Sequence, residues 1–154
     1  RSSTVRQAIA HGDVAGATEL LGRTYSLTGT VVQGERRGNK LGFPTANLGL
    51  DSEIMLPEDG IYATWAVIEG KRCQSATNVG IRPTFGSGPR TVETFIMDFD
   101  QDIYGRTLTL EFISRLREEL KFDSVEALIK QMNLDVDQAR MILAGSPAPP
   151  KGNP

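Results

Sequence analysis

Six short strand-like segments with no helical pattern between them constrain the fold of this sequence more than any other feature. Each segment is rich in β-branched and aromatic residues and is bounded by turn-forming residues, which is typical of β-strands. The segments cover residues 25–33, 43–48, 61–68, 72–79, 91–99 and 108–113. Strands at such short intervals predict a mainly β barrel or sandwich. The lack of helices between them excludes a parallel sheet built from crossover units.

Residues 1–22 predict two short helices before the first strand. Ser3 or Thr4 is expected to cap the first helix and Asp13 the second, because their side-chain oxygens can accept hydrogen bonds from free backbone N–H groups. Gly22 is expected to end the second helix, since glycine readily adopts the left-handed conformation that closes a helix.

A helical pattern returns after the last strand-like segment. Asp123 and Ser124 are expected to cap a helix that is apolar on one face, and Asp135 is expected to begin a second helix. The apolar faces predict packing against the β-structure rather than a cofactor site. Residues 145–154 are rich in glycine, proline and serine, which predicts a disordered tail.

The composition argues against several kinds of chemistry. The 154 residues indicate one domain, with Cys73 as the single cysteine and His11 as the single histidine. A single cysteine excludes a disulfide within the chain. One cysteine and one histidine together argue against a common zinc site or a hydrolase triad. The lack of a disulfide framework favours a cytoplasmic location. A net charge of −2 and the absence of a long apolar run predict neither a nucleic-acid nor a membrane partner.

The segment 34–47 has the most unusual composition, with three glycines and three basic residues directly after a strand. Glycines let backbone amides approach an anion closely, and basic side chains add positive charge. The spacing is not that of a nucleotide-binding P-loop. Composition alone therefore leaves open a phosphate-binding loop or an ordinary surface loop.

The end of this segment, Pro44-Thr45-Ala46-Asn47, carries two candidate metal ligands. Thr45 and Asn47 are two residues apart, so in an extended segment they project to the same side. A hydroxyl and an amide oxygen can bind Mg²⁺, and because both are neutral the negative charge would come from a nucleotide phosphate. The alternative is a turn in which both side chains bond to the local backbone.

Residues 38–47, which end in Gly-Phe-Pro-Thr-Ala-Asn, resemble the signature of riboflavin kinases. The C-terminal half of bacterial bifunctional FAD synthetases carries the same signature. Further segments match in the same order, and the resemblance runs from about residue 25 to 143. These segments are residues 56–63, 78–86, 92–95, 102–105 and 116–122. The opening residues 2–6 resemble the end of the adenylyltransferase module of the bifunctional enzymes. The His-x-Gly-His motif of that module is absent.

The resemblance implies a six-stranded antiparallel Greek-key barrel with a C-terminal helix along its side and short N-terminal helices. It implies Mg²⁺ and the ATP phosphates at Thr45 and Asn47, and Glu93 as the catalytic base. It also implies a loop at residues 34–42 that closes over the nucleotide and a second flap at residues 82–89. The implied flavin-binding residues are Arg117, Leu120 and Phe122. The implied ATP-binding residues are Gly34, Arg37, Gly38, Lys40, Gly42, Phe43, Pro44, Thr45, Ala46, Asn47 and Asn78.

The resemblance also divides the chain. Residues 1–22 are expected to be a helical linker left from an adenylyltransferase module, residues 23–144 the kinase domain, and residues 145–154 the tail. In the parent protein the two modules would be covalently joined.

Taken from the residues alone, Glu93 lies in an apolar strand, where it shares a face with Phe95. Such a carboxylate is either a charge on an edge strand or a site residue. The resemblance implies transfer of phosphate from ATP to riboflavin, giving FMN and ADP. The main alternative is a flavin-binding barrel without catalysis. A nucleic-acid-binding barrel ranks last, because the aromatic residues fall mostly at core positions.

Overall fold

The structure, a computed structural model, describes residues 2–33, 42–81 and 90–145. Several predicted features lie outside the described residues. These are the loop residues Gly34, Arg37, Gly38 and Lys40, the predicted loop 82–89 and nearly all of the predicted tail.

Six strands form a closed, fully antiparallel barrel. They are β1 Ser26–Val32, β2 Ala46–Gly49, β3 Gly60–Ile68, β4 Lys71–Ile81, β5 Arg90–Ile96 and β6 Thr107–Arg117. The order around the barrel is β1-β2-β5-β4-β3-β6. Strands β3, β4 and β5 are consecutive neighbours and β6 returns beside β3, which is a Greek-key arrangement. The predicted fold class is therefore confirmed.

The turn between β3 and β4 was predictable from two residues. Glu69 and Gly70 both have positive φ, at 50° and 82°. Ile68 and Lys71 pair directly across this two-residue loop. Positive φ at both positions is the conformation that two-residue hairpins favour, because its twist matches that of the strands.

Two short helices precede the barrel: α1 spans Ser2–Ala10 and α2 spans Val14–Leu21. Asp13 caps α2 by accepting a 2.9 Å hydrogen bond from the Gly16 backbone N–H, and Gly22 ends it with a φ of 73°, as predicted. The prediction that Ser3 or Thr4 caps α1 is wrong. The helix already includes both residues, so neither has the non-helical backbone that a cap requires.

One long helix, α3, spans Val125–Gly145. Ser124 caps it, because its hydroxyl accepts a 3.1 Å hydrogen bond from the Ala127 backbone N–H. The prediction of a second helix starting at Asp135 is wrong. Asp135 lies inside α3, and its carboxylate binds Arg117 and Gln131 instead of capping a helix. In the parts of the chain that the structure describes, none of the helices combines the length and apolar character needed to cross a membrane.

The core has two parts, one on each side of the barrel wall. The inner part is centred on Tyr25, Tyr62 and Phe112, and Ile9 and Val14 of the N-terminal helices contribute to it. The outer part lies between the barrel wall and α3. It contains Ala63, Met97, Ala139 and Leu143.

Strand alternation places Glu93 on the outer side of the barrel. Val92 and Ile96 of β5 belong to the inner core, whereas Phe95 packs into the outer core beneath α3. Because side chains alternate along a strand, Glu93 shares a face with Phe95, as predicted, and the structure shows that this face is the outer one.

Candidate active site

The strand register aligns five residues from five strands in one row, here called the outer row. It runs from Arg117 on β6 through Ile61, Asn78 and Glu93 to Asn47 on β2, and each is the direct cross-strand partner of the next. Direct partners project from the same face of a sheet. Neighbouring strands are about 4.8 Å apart, so the path along the curved sheet from Arg117 to Glu93 is about 14 Å.

At one end of the outer row, Glu93 lies beside the two predicted metal ligands. The Thr45 hydroxyl donates a 3.4 Å hydrogen bond to a carboxylate oxygen of Glu93. Asn47 faces the same side as Glu93, because Ala46 and Leu48 on either side of it contribute to the inner core. The structure therefore brings Thr45, Asn47 and Glu93 together.

The amide oxygen of Asn47 is an unusual acceptor. The side chain is only 6% exposed, and its Oδ1 has no hydrogen-bond partner in the described part of the chain. Buried carbonyl oxygens are normally paired, because losing water without gaining a partner costs free energy. An unpaired oxygen in this position is suited to a cation or to another ligand atom.

The segment before Thr45 is fixed by an aromatic contact. Phe43 packs edge-on against Phe95, with ring centroids 5.4 Å apart and planes at 72°. Phe43 is buried, whereas Gly42 and Pro44 on either side are exposed. The contact holds residues 43–45 against β5 and so places Thr45 next to Glu93.

Two cavities meet at Thr45, which lines both. The smaller has a volume of about 380 Å³ and is lined by Pro44, Ala46 and Asn47 together with Gln33 and Tyr104. The larger has a volume of about 890 Å³ and lies between the barrel wall and α3. Cavities of the larger size are typical of small-molecule sites.

The larger cavity is lined by apolar side chains from both the barrel and α3, with a few polar groups among them. Apolar contributions come from Phe43, Phe95, Leu120, Phe122, Val125, Leu128, Met132 and Val136. Polar groups come from the outer row, with Asn78, Glu93 and Arg117, and from Glu119. The predicted flavin residues Arg117, Leu120 and Phe122 all lie here. Asn78, which the resemblance assigns to ATP, also lines this cavity.

Arg117 is held by a forked ion pair with α3. Its Nε and Nη2 donate hydrogen bonds of 2.9 Å and 2.8 Å to the two carboxylate oxygens of Asp135. Gln131 donates a 3.0 Å hydrogen bond to the same carboxylate. The guanidinium carbon lies 5.8 Å from the centre of the Phe122 ring, within the range of a cation–π contact. The arrangement fixes a planar cation at the far end of the outer row.

Glu119 is a further charged group at this cavity and was not among the predicted site residues. Its carboxylate lies against Gly80 of β4. Desolvation raises the pKa of the Glu119 carboxyl, the negative charge of Asp59 raises it further, and Arg117 lowers it. A glycine inside a strand was the available signal, since it often marks a close approach by another group.

No group of three or more His, Cys, Asp or Glu side chains capable of holding a metal occurs in residues 2–33, 42–81 and 90–145. A metal ion at Thr45 and Asn47 would therefore need further ligands from a substrate. These neutral oxygens fit a hard cation that arrives with phosphate groups.

Comparison with known proteins identifies the family. The family model described as Flavokinase, riboflavin kinase, matches residues 21–143. The chain belongs to the riboflavin kinase family. Enzymes of this family phosphorylate riboflavin with ATP and produce FMN, so the kinase prediction is confirmed and the non-catalytic barrel is not favoured.

Individual relatives support the same family. The bifunctional riboflavin kinase/FMN adenylyltransferase of Bacillus subtilis is 38% identical over 141 residues, which are 90% of this chain and 45% of that protein. A riboflavin kinase structure from Trypanosoma brucei has a TM-score of 0.62 and 27% identity, covering 80% of this chain and 79% of the other. A Streptococcus pneumoniae structure described as a macrolide-efflux protein has a TM-score of 0.85 and 38% identity, covering 91% and 46% of the two chains. The chain thus spans about half the length of the curated relatives it matches.

Proposed function

We propose that this chain transfers the γ-phosphoryl group of ATP to the terminal hydroxyl of the ribityl chain of riboflavin, with Glu93 as the catalytic base. The observation that carries this proposal is the position of Glu93. It lines the larger cavity and accepts a hydrogen bond from Thr45, which lines both cavities. A base at that junction can reach an acceptor in one cavity and a phosphate in the other.

In this proposal, the larger cavity holds the flavin. The isoalloxazine ring would pack among the apolar side chains of α3, with Phe122 and Leu120 beside it. Arg117 would lie at its edge, where a fixed guanidinium can stack on or hydrogen-bond to a planar heteroaromatic ring. The hydroxyl chain would then extend along the outer row towards Glu93.

The smaller cavity would receive the phosphates of ATP. Pro44, Thr45, Ala46 and Asn47 line it, in agreement with the roles that the resemblance implies. We propose that Thr45 and Asn47 hold Mg²⁺, which would neutralise negative charge on the phosphates. The unpaired Oδ1 of Asn47 supports this assignment. The predicted contacts of Gly34, Arg37, Gly38 and Lys40 remain predictions.

Glu93 would act on the attacking hydroxyl. As the terminal oxygen of the ribityl chain forms its bond to the γ-phosphorus, the bond from that phosphorus to the β–γ bridging oxygen breaks and ADP leaves. The hydroxyl proton passes to the Glu93 carboxylate. Phosphoryl transfer depends mainly on positioning and charge stabilisation, so a single oriented carboxylate is a sufficient base.

We also propose that the parent protein joins this chain to an adenylyltransferase module and works in the cytoplasm. The bifunctional relatives, about twice as long as this chain, support the first part. The single cysteine is compatible with the second.

The activity is tested by incubating the purified chain with riboflavin, ATP and MgCl₂ and separating flavins and nucleotides by chromatography. We expect FMN and ADP in equal amounts, and no FMN when the metal is chelated. Folded protein that binds riboflavin without forming FMN would overturn the proposal and support the non-catalytic flavin-binding barrel.

A further inference from the structure

The stretch of the outer row between Arg117 and Glu93 carries polar groups for which the proposed chemistry gives no role. Asn78 is exposed at its centre, one strand away from Glu93. Glu119 follows Arg117 by two residues and lines the same cavity. The proposed roles of Glu93 as base and Arg117 as ring anchor do not account for the amide of Asn78 and the carboxylate of Glu119 between them.

Gly80 is what allows the Glu119 carboxylate to lie close to the sheet. A Cβ at Gly80 would be 2.8 Å from the carboxyl carbon of Glu119, closer than real Cβ contacts. Gly80 is two residues after Asn78 on β4, and its cross-strand partner Thr91 is two residues before Glu93 on β5. Since residues two apart share a face, the carboxylate lies next to Asn78 and Glu93 on the outer side of the barrel.

The spacing of the strands sets the distance that the substrate must span between Arg117 and Glu93. The path along the barrel wall from Arg117 to Glu93 is about 14 Å, three strand spacings of about 4.8 Å. A flat ring anchored at Arg117 and Phe122 covers the first part of this distance. The rest must be crossed by the flexible part of the substrate, and Asn78 and Glu119 lie beside that path.

The chemistry of the two side chains fits a chain of hydroxyl groups. An asparagine amide both donates and accepts hydrogen bonds, and a carboxylate accepts several. Hydroxyl groups on successive carbons can bond to both, whereas a plain alkyl chain would leave both polar groups desolvated and unpaired, which is unfavourable.

We propose that Asn78 and Glu119 form a subsite for the internal hydroxyls of the acceptor chain and make the enzyme select polyol acceptors over alkyl alcohols of the same length. The proposal rests on the proposed function and adds specificity residues to it. It also moves Asn78 from the ATP site, where the resemblance places it, to the acceptor site.

The test compares riboflavin with 10-(5-hydroxypentyl)isoalloxazine carrying the same ring methyl groups. This analogue keeps the ring and the terminal hydroxyl but lacks the internal hydroxyls. We expect the wild-type chain to favour riboflavin in kcat/KM by about 100-fold, because the analogue leaves two polar groups without partners, at about 10-fold each. Asn78→Ala and Glu119→Ala should each reduce this preference about 10-fold by lowering kcat/KM for riboflavin only.

Gly80→Ala provides an independent variant, because it displaces the Glu119 carboxylate without removing it. We expect it to reduce the preference as Glu119→Ala does. Glu118→Ala is the matched control, because Glu118 is exposed, adjacent in sequence and outside the cavity lining. The preference of this variant for riboflavin over the analogue should equal that of the wild type. Thermal unfolding of each variant identifies losses of folding.

The outcomes separate this inference from the proposed function. Equal losses for both acceptors in folded Asn78→Ala and Glu119→Ala would overturn the inference and indicate a structural role. Equal use of both acceptors by the wild type would overturn it as well. A wild type that phosphorylates neither acceptor would refute the proposed function itself.

Discussion

Among single residues, Glu93 is the one whose role depends most on its exact position. Alternation in β5 predicts that Glu93 shares a face with Phe95, and this much could be predicted from the sequence. Its contact with Thr45, 48 residues away, could not, because only the barrel register brings β2 beside β5. The resemblance supplied the role, and the structure supplies the hydrogen bond and the two cavities that make the role physically reasonable.

Replacement of Glu93 by glutamine should separate chemistry from binding. Glutamine keeps the size and the ability to accept a hydrogen bond from Thr45 but cannot take up a proton. We expect kcat to fall by about 10² to 10⁴-fold, the usual contribution of a general base. The affinity for riboflavin, measured from flavin fluorescence, should change little.

The control for this variant is Glu53→Gln, at an exposed glutamate in the segment between β2 and β3. Its kcat should match that of the wild type. Wild-type turnover in folded Glu93→Gln would show that Glu93 is structural and that another group accepts the proton.

The residues whose roles could not be predicted from the sequence share one property: their partners are distant in the chain. Asp135 resembled a helix cap because aspartate is common at caps. Its true partner, Arg117, lies on β6, and no local pattern connects the two. Glu119 was not among the predicted site residues, and its contact with Gly80 depends on how the chain packs against a distant strand.

At the level of secondary-structure elements, α3 forms one wall of the larger cavity. Its attachment combines apolar contacts, through Ala139 and Leu143, with the ion pair from Asp135 to Arg117. The side chains of this pair are only 6% and 16% exposed. The positions of the strands, the hairpin turn and the start of α3 were predictable because each follows a local pattern. The continuation of α3 through Asp135 was not, because the partner of Asp135 is Arg117 on a distant strand.

The ion pair should be important for both stability and substrate binding. Asp135→Asn removes the negative charge and leaves the Arg117 guanidinium without its forked partner. We expect the free energy of unfolding, measured by urea denaturation, to fall by about 3 kcal/mol. We also expect a higher KM for riboflavin with little change in KM for ATP, because Arg117 would no longer be fixed at the flavin end of the cavity.

Asp137→Asn is the matched comparison, since Asp137 is an exposed aspartate two residues further along the same helix. It should leave the unfolding free energy and both KM values unchanged. If Asp135→Asn were as stable as Asp137→Asn, the pair would not anchor α3. Parallel increases in both KM values would indicate a general distortion rather than loss of a flavin anchor.

For the molecule as a whole, the pairing of neighbouring strands in the barrel is what makes the site possible. Five strands contribute one residue each to the outer row, although these residues are spread from Asn47 to Arg117 in the sequence. The number and spacing of strands could be predicted because each strand has its own local signal. The register could not be derived from those signals, and the register decides which side chains meet.

The central claim is that a flavin in the cavity beneath α3 and a nucleotide in the smaller cavity meet at Glu93. The most direct measurement is a crystal structure of the chain with riboflavin, ADP and Mg²⁺ bound. We expect the flavin ring to lie between Phe122, Arg117 and α3, and the ADP phosphates to lie at Thr45 and Asn47. The terminal ribityl hydroxyl should lie within about 3.2 Å of Glu93. A flavin ring in the smaller cavity, or a terminal hydroxyl directed away from Glu93, would contradict it.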